Sequence, residues 1–183
     1  MLFRSGLVSN GVPGLNVLSA PTDTRGLEHP QPVEIRQVLS FARTLYHFSV
    51  ADLPSSLSPL TMAVIEDADQ TFLITTSDLP SLHLTKRTLQ KLSQRGYPPE
   101  RLRLVLNRAS RRDEVLPGDI ERNLGTRIFW SFPDDVKSAT EFYVQGGPVG
   151  AKSDLGKSVQ QFVTKITEPP ASPGSKTPSF VAL

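Results

Sequence analysis

Three stretches of the chain place chemistry-bearing residues directly after an apolar run. His47–Pro54 reads His-Phe-Ser-Val-Ala-Asp-Leu-Pro, a strand pattern that ends on Asp52 and breaks at Pro54. Leu102–Leu106 runs into Asn107 and Arg108, and Arg127–Phe132 runs into Pro133 and Asp134. Open α/β sheets bind ligands at the carboxyl ends of their strands. An Asp there can hold a water on Mg²⁺ beside a phosphate. A side-chain amide both donates and accepts, so Asn107 can match the edge of an adenine base. Pro133 and Asp134 can wall a base or a ribose. Each has a plainer reading: Asp52 caps the next helix or bonds loop amides, Asn107 closes an Asx turn, and Pro133-Asp134-Asp135 opens a helix whose dipole favours acids. The residues alone leave both readings open. The small Ser55-Ser56 pair after Pro54 suits a tight turn in either case.

A phosphate site needs a glycine-rich loop between a strand and a helix. Ser9–Gly14 has two glycines but no lysine, and a strand pattern follows it. Gly146–Ser153 follows a helix instead of a strand, and its spacing is wrong. With no cysteine, the chain has no disulfides, thiolate metal sites or cysteine nucleophile, which is compatible with a reducing cytoplasm. His29, His47 and His83 lie far apart, with neither metal-ligand spacing nor a catalytic turn. No apolar run approaches the ~18–20 residues needed to span a membrane, and the N-terminus lacks the apolar core of a secretory signal.

The elements that must position these residues can be read from pattern and punctuation. Strands are expected at Leu15–Ala20, at the run ending in Asp52, at Thr71–Thr76, Leu102–Leu106 and Arg127–Phe132. Helices are expected over Val33–Leu45, over Leu57–Ala68 with Ser58 as N-cap and Pro59 first, and from Asp78 to about Arg95 with Gly96 as stop. Three more follow at Pro117–Leu124, stopped by Gly125, at Asp135–Gln145, stopped by Gly146-Gly147-Pro148, and at Ser153–Ile166. Strands alternating with helices imply a mostly parallel sheet with helices on both faces. Right-handed crossovers then bring Asp52, Thr76, Asn107 and Pro133 to one edge. The division is an irregular segment at 1–14, one α/β domain at 15–166, and a disordered Pro/Ser-rich tail at 167–183.

Net charge is +2, yet Lys86–Arg112 holds nine Lys/Arg against Glu100 alone, a local +8. Such a stretch suits a solvated face, or weak binding to DNA, anionic lipid or an acidic partner.

Taken in order, the motifs resemble one family. Val50-Ala-Asp-Leu-Pro-Ser-Ser-Leu-Ser-Pro-Leu-Thr61 is similar to the switch II region of the MinD/ParA superfamily of deviant-Walker P-loop ATPases, and nearest to its CpaE/TadZ-like branch, associated with Flp-type pilus assembly. The likeness continues through Thr75–Leu82, Gly96–Pro99, Leu104–Arg108, Phe132–Asp135 and Gly146–Val149, over about residues 15–166. The resemblance implies a P-loop NTPase-like three-layer fold, truncated at its N-terminal side. It implies Asp52 as the Walker B-type acid, acting on Mg²⁺ through water, with Pro54 in switch II. Asn107 and Arg108 would read the base, and Pro133 and Asp134 would contact the nucleoside. ATP and Mg²⁺ are the family's cofactors, and its ATPases work as homodimers. The strand, phosphate loop and helix that open the family's domain are missing, so the chain alone is expected neither to hold ATP tightly nor to hydrolyse it. The resemblance thus implies the C-terminal portion of an ATPase that positions pilus or secretion machinery, cytoplasmic and recruited to the inner-membrane surface or a cell pole. The alternatives are a non-catalytic interaction module of the same fold and a ParA-type DNA-partitioning fragment.

Overall fold

A computed structural model describes residues 8–12, 14–18, 30–110, 112–145, 149–167 and 179–182. The helix stop at Gly146-Gly147-Pro148 and residues 168–178 of the tail lie outside the described residues. The chain divides into two units, Met1–Pro30 and Gln31–Leu183.

In the first unit, β1 (Val8–Val12) and β2 (Leu15–Leu18) form a two-stranded antiparallel sheet. Gly14 turns between them at φ +82°, a left-handed conformation that glycine adopts freely. This corrects two expectations. Residues 1–14 are not wholly irregular, because Val8–Val12 finds partners at most ten positions away. Leu15–Leu18 belongs to this hairpin, so the α/β unit begins at Gln31 and not at residue 15.

The second unit is a five-stranded, fully parallel sheet in the order β3 (Ser49–Asp52), β7 (Ser179–Ala182), β4 (Gln70–Thr75), β5 (Leu102–Ala109), β6 (Ile128–Pro133). Its helices are α1 (Pro32–Leu45), α2 (Pro59–Asp67), α3 (Leu79–Gln94), α4 (Pro117–Leu124), α5 (Val136–Gln145) and α6 (Asp154–Thr167). Local chemistry sets their ends. Ser58 accepts from the Thr61 amide to open α2, and Asp78 accepts from the Ser81 amide to open α3, at 3.1 and 3.0 Å. Gly96 (φ +72°) follows α3, and Gly125 (φ +65°) caps α4.

Strand alternation divides the core. On one face, α2 buries Thr61–Ile65, and Met62, Val64 and Ile65 pack with Leu92 and Tyr97. Leu73, Leu104 and Leu106 meet Ile120 and Leu124 of α4 on that face. The opposite face carries Phe72 and Val105 under α6, where the Phe162 ring lies 5.3 Å from Phe72 and 5.2 Å from Phe132. Trp130 Nε1 donates to Ser158 Oγ at 3.1 Å and fixes α6 along β6. Helices therefore cover both faces, as the alternation implied.

The basic stretch is not one patch. Arg101 donates to the carbonyls of Glu66 and Ala68, Arg103 lies over the Phe129 ring at 5.4 Å, and Arg108 pairs with Asp134. Arg87, Lys91 and Arg95 remain exposed on or just after α3.

The tail expectation is also corrected. Ser179–Ala182 is no disordered end but a parallel strand within the sheet, since Ser-Phe-Val-Ala has the β-branched and aromatic character that two flanking strands can order.

Two outcomes test this account. Thr71 and Tyr97 share a buried hydroxyl pair at 2.9 Å. Tyr97→Phe should cost about 1–2 kcal/mol in urea denaturation by stranding the Thr71 hydroxyl, and adding Thr71→Val should recover much of it. A double variant no more stable than Tyr97→Phe alone would show that the hydroxyl pair is not what matters. The second outcome concerns Asp78. A hydrogen bond from the Thr76 hydroxyl, then bonds from Ser81, lower its carboxyl from 3.8 to about 2. A folded value below the unfolded one means that its contribution is complete above about pH 4 and vanishes as pH falls through about 2. Asp78→Asn should remove that component from acid denaturation curves; identical acid slopes for the two proteins would contradict it.

Candidate functional site

Parallel pairing brings the strand ends Asp52, Thr75, Asn107 and Pro133 to one carboxyl edge, as the crossover rule requires. At the β5–β6 end of that edge the register slips. Leu106 pairs with Ser131 and Ala109 with Pro133, so β5 carries one residue more than β6 over the interval. The extra residue is a β-bulge, a device that re-aims side chains near sites. Within it Arg108 adopts φ +55°, the only positive φ at a non-glycine among the described residues. Asn107 therefore lies inside a longer β5 and does not close the strand, as the sequence pattern implied.

The bulge opens a cavity of about 470 Å³ lined by Asn107, Arg108, Pro133 and Asp134 from the strand ends. Asp135 before α5 also lines it, helix α5 adds Val136, Ala139, Thr140 and Tyr143, and α6 adds Leu155. Asn107 Oδ1 accepts from the Arg108 amide at 3.0 Å, which fixes the side chain. Its amide nitrogen and the second lone pair of Oδ1 stay available. Arg108 Nε donates to Asp134 Oδ1 at 3.0 Å, leaving one carboxylate oxygen of Asp134 without that partner. Asp134 is itself held by its amide bond to the Ala109 carbonyl, at 3.1 Å.

Asp135 does structural work. Its two oxygens accept from the Ser138 amide at 3.1 Å and the Leu155 amide at 3.4 Å, capping α5 and tying it to α6. The bonds from Ser138, above all, hold its carboxyl below the ordinary value. The helix-start reading is thus met by Asp135, whose oxygens are both taken by amides, while Asp134 keeps an oxygen for the cavity that both residues line.

The α5 contribution was missed by sequence reasoning. Val136, Ala139, Thr140 and Tyr143 follow the i, i+3, i+4, i+7 spacing of one helix face. That signal was present, but a stripe half-made of small and polar residues reads as an ordinary surface.

Asp52 is elsewhere. It is exposed, opposite Ala182 in register, and does not line the cavity. Two strands separate β3 from β5, a span of about 14 Å at the usual strand spacing. The helix-capping alternative is not realised, because Ser58 caps α2. Among the described residues Asp52 has no ion pair, and no cluster of three metal-ligating side chains occurs. Pro54 lies beyond Asp52 and is also exposed. A nucleoside fits the donor, acceptor and apolar walls of the cavity. Asp52 belongs to no group of three metal-ligating side chains among the described residues, so it would act on a magnesium ion through water and only where phosphate oxygens complete the shell.

Comparison with solved structures shows the fold. The ParA family ATPase of Chlorobium tepidum TLS superposes with a TM-score of 0.80 at 23% identity, over 86% of this chain and 67% of that one. MinD in the MinC:MinD cell division protein complex of Aquifex aeolicus gives 0.67 at 14%, over 80% and 63%. The cell division ATPase MinD of Pyrococcus furiosus gives 0.66 at 20%, over 83% and 66%. The chain thus has the P-loop NTPase-like α/β fold of these ATPases and spans about two thirds of their length. No family model matches the sequence, and no curated protein matches it.

The bulge yields a direct test. A left-handed non-glycine residue costs on the order of 1–3 kcal/mol, whereas a half-exposed ion pair returns about 0.2–1 kcal/mol. Arg108→Gly should therefore be more stable than Arg108→Ala by about 1 kcal/mol in urea denaturation, since both lose the ion pair and only glycine relieves the backbone. Equal stabilities would contradict the left-handed conformation.

Proposed function

We propose that this chain forms the nucleoside-binding part of a MinD/ParA-type ATPase, in the CpaE/TadZ-like branch suggested by its motifs. The observation that carries this reading is the meeting of Asn107 and Asp134 across one cavity, at the carboxyl edge of a sheet with the ParA/MinD fold.

The chemistry follows from the free atoms. The Asn107 amide nitrogen donates to a ring nitrogen of adenine, and Oδ1 accepts from the exocyclic amine through the lone pair that Arg108 leaves. The Asp134 oxygen not bound to Arg108 accepts from a ribose hydroxyl. Pro133, Val136 and Leu155 give apolar walls to the base. Arg108 holds Asp134 in place and offsets its charge when no ligand is present.

No hydrolytic step is assigned to this chain. In the proposed setting, a phosphate loop supplied outside these residues would complete the site for ATP and Mg²⁺, and only then would Asp52 hold a water on the metal. The wider role proposed is that of the family branch, namely homodimeric assembly and positioning of pilus or secretion machinery at the inner-membrane surface or a cell pole. The exposed bases Arg87, Lys91 and Arg95 favour a second reading, DNA association. Affinity for DNA that falls steeply with salt would support it, and no binding at low salt would remove it.

Calorimetric titration tests the first reading. Adenosine and Mg·ATP should bind the full chain with similar affinities, on the order of millimolar. Asn107→Ala should weaken both by about 5–30-fold, the loss of one or two hydrogen bonds. Unchanged binding in Asn107→Ala would sink the base-reading assignment. Mg·ATP binding far more tightly than adenosine would show that the phosphate end is complete.

A further inference from the structure

The strand β7 occupies an unusual place. It is four residues long and comes last in the chain, yet it lies inside the sheet and pairs in parallel on both sides. Ser179–Ala182 matches Ser49–Asp52 of β3 position by position, and Phe180–Ala182 matches Gln70–Phe72 of β4. Without it, β3 and β4 would each present an unpaired backbone edge, a ready template for another strand. Residues 168–178 join it to α6. They number eleven and include Pro169, Pro170, Pro173 and Pro178.

One face of this part of the sheet is only partly covered. Val50 on β3 is 75% exposed and Ile74 on β4 is 43% exposed, whereas Phe72 of β4, on the same face and opposite Ala182, lies under α6.

We propose that the gap between β3 and β4 is a strand-acceptor site, filled by the chain's own Ser179–Ala182 and open to the same segment of a second copy, which gives strand-exchanged dimers. A second copy is the occupant because the gap is already matched, in register and direction, to this segment. The exchanged and unexchanged forms make identical backbone bonds, so their balance rests on the tether alone. Eleven residues reach at most about 36–40 Å, and a tether of this length sets an effective concentration of order millimolar. Monomer accordingly dominates in dilute solution, and exchange grows as chain concentration approaches that value. The proposal is independent of any bound nucleotide.

The chain has no cysteine, so pairs can be introduced cleanly. Ala51 and Val181 are register partners, at a separation that a disulfide spans. The doubly substituted chain, Ala51→Cys with Val181→Cys, should close an internal disulfide when oxidised in dilute solution. A concentrated mixture of the two single variants, near 1 mM, should give a covalent heterodimer in a glutathione redox buffer. Its yield should exceed by about fivefold that of Ser49→Cys mixed with Val181→Cys, a pair too far apart to bridge. Circular dichroism of each single variant confirms that it folds. An internal disulfide without any excess of heterodimer over the control would overturn exchange. Failure of the doubly substituted, folded chain to cross-link internally would overturn the strand's place in the slot.

Discussion

A parallel sheet cannot tolerate a strand-wide gap, and that constraint governs this molecule. Between β3 and β4 the distance is too large for direct backbone pairing. Each of those edges must find donors and acceptors from a third segment or leave them to water. Ser179–Ala182 supplies them on both sides. The pairing keeps β3 in one sheet with β4–β6, and so keeps Asp52 on the same carboxyl edge as Asn107 and Pro133. On one face side-chain packing supports the join, where Ala51 meets the cluster around Ile65 and Tyr97. On the other face Val50 is largely in water. Backbone pairing of a four-residue strand thus contributes to a connection that larger α/β sheets spread over longer strands.

The far end of the edge is built differently. There β5 and β6 pair over most of their length, and the aromatic cluster around Phe162 anchors α6 against them. Pairing resumes at Ala109 beyond the bulge at Asn107–Arg108, so the sheet is kept. The bulge and the Arg108–Asp134 pair are coupled: the left-handed turn aims the guanidinium across the cavity, and the carboxylate holds it there. Asp135, one residue on, spends both oxygens on amides of α5 and α6. Adjacent carboxylates therefore have separate duties, one fixing the cavity wall and one facing into it.

Much of this was legible in the sequence because it rests on local rules. Ser58-Pro59, Asp78, Gly96 and Gly125 mark helix ends by capping chemistry that acts within a few residues. The alternation of apolar runs implied a parallel sheet and one shared edge holding Asp52, Thr76, Asn107 and Pro133; of these, only Asn107 and Pro133 meet at the cavity. What escaped depends on distant pairing. Ser-Phe-Val-Ala in a proline-rich tail has no local reason to be a strand; its partners lie at Ser49–Asp52 and Gln70–Phe72. Leu15–Leu18 has strand character but no internal sign of which neighbour it takes. The bulge escaped because a left-handed position normally announces itself with glycine or asparagine, and here it falls on arginine.

That exception separates the two ends of the edge. An exposed aspartate such as Asp52 costs the fold nothing, so its presence carries little weight about use. Arg108 is different. A left-handed arginine costs on the order of 1–3 kcal/mol, and its half-exposed ion pair with Asp134 returns about 0.2–1 kcal/mol. Stability alone would favour glycine at that position. The backbone strain, the bulge, the fixed Asn107 amide and the Asp134 carboxylate all converge on one cavity, whereas nothing converges on Asp52. In this chain the physical case for ligand binding therefore rests at the β5–β6 end, and the acid at the end of β3 awaits groups that the described residues do not bring to it.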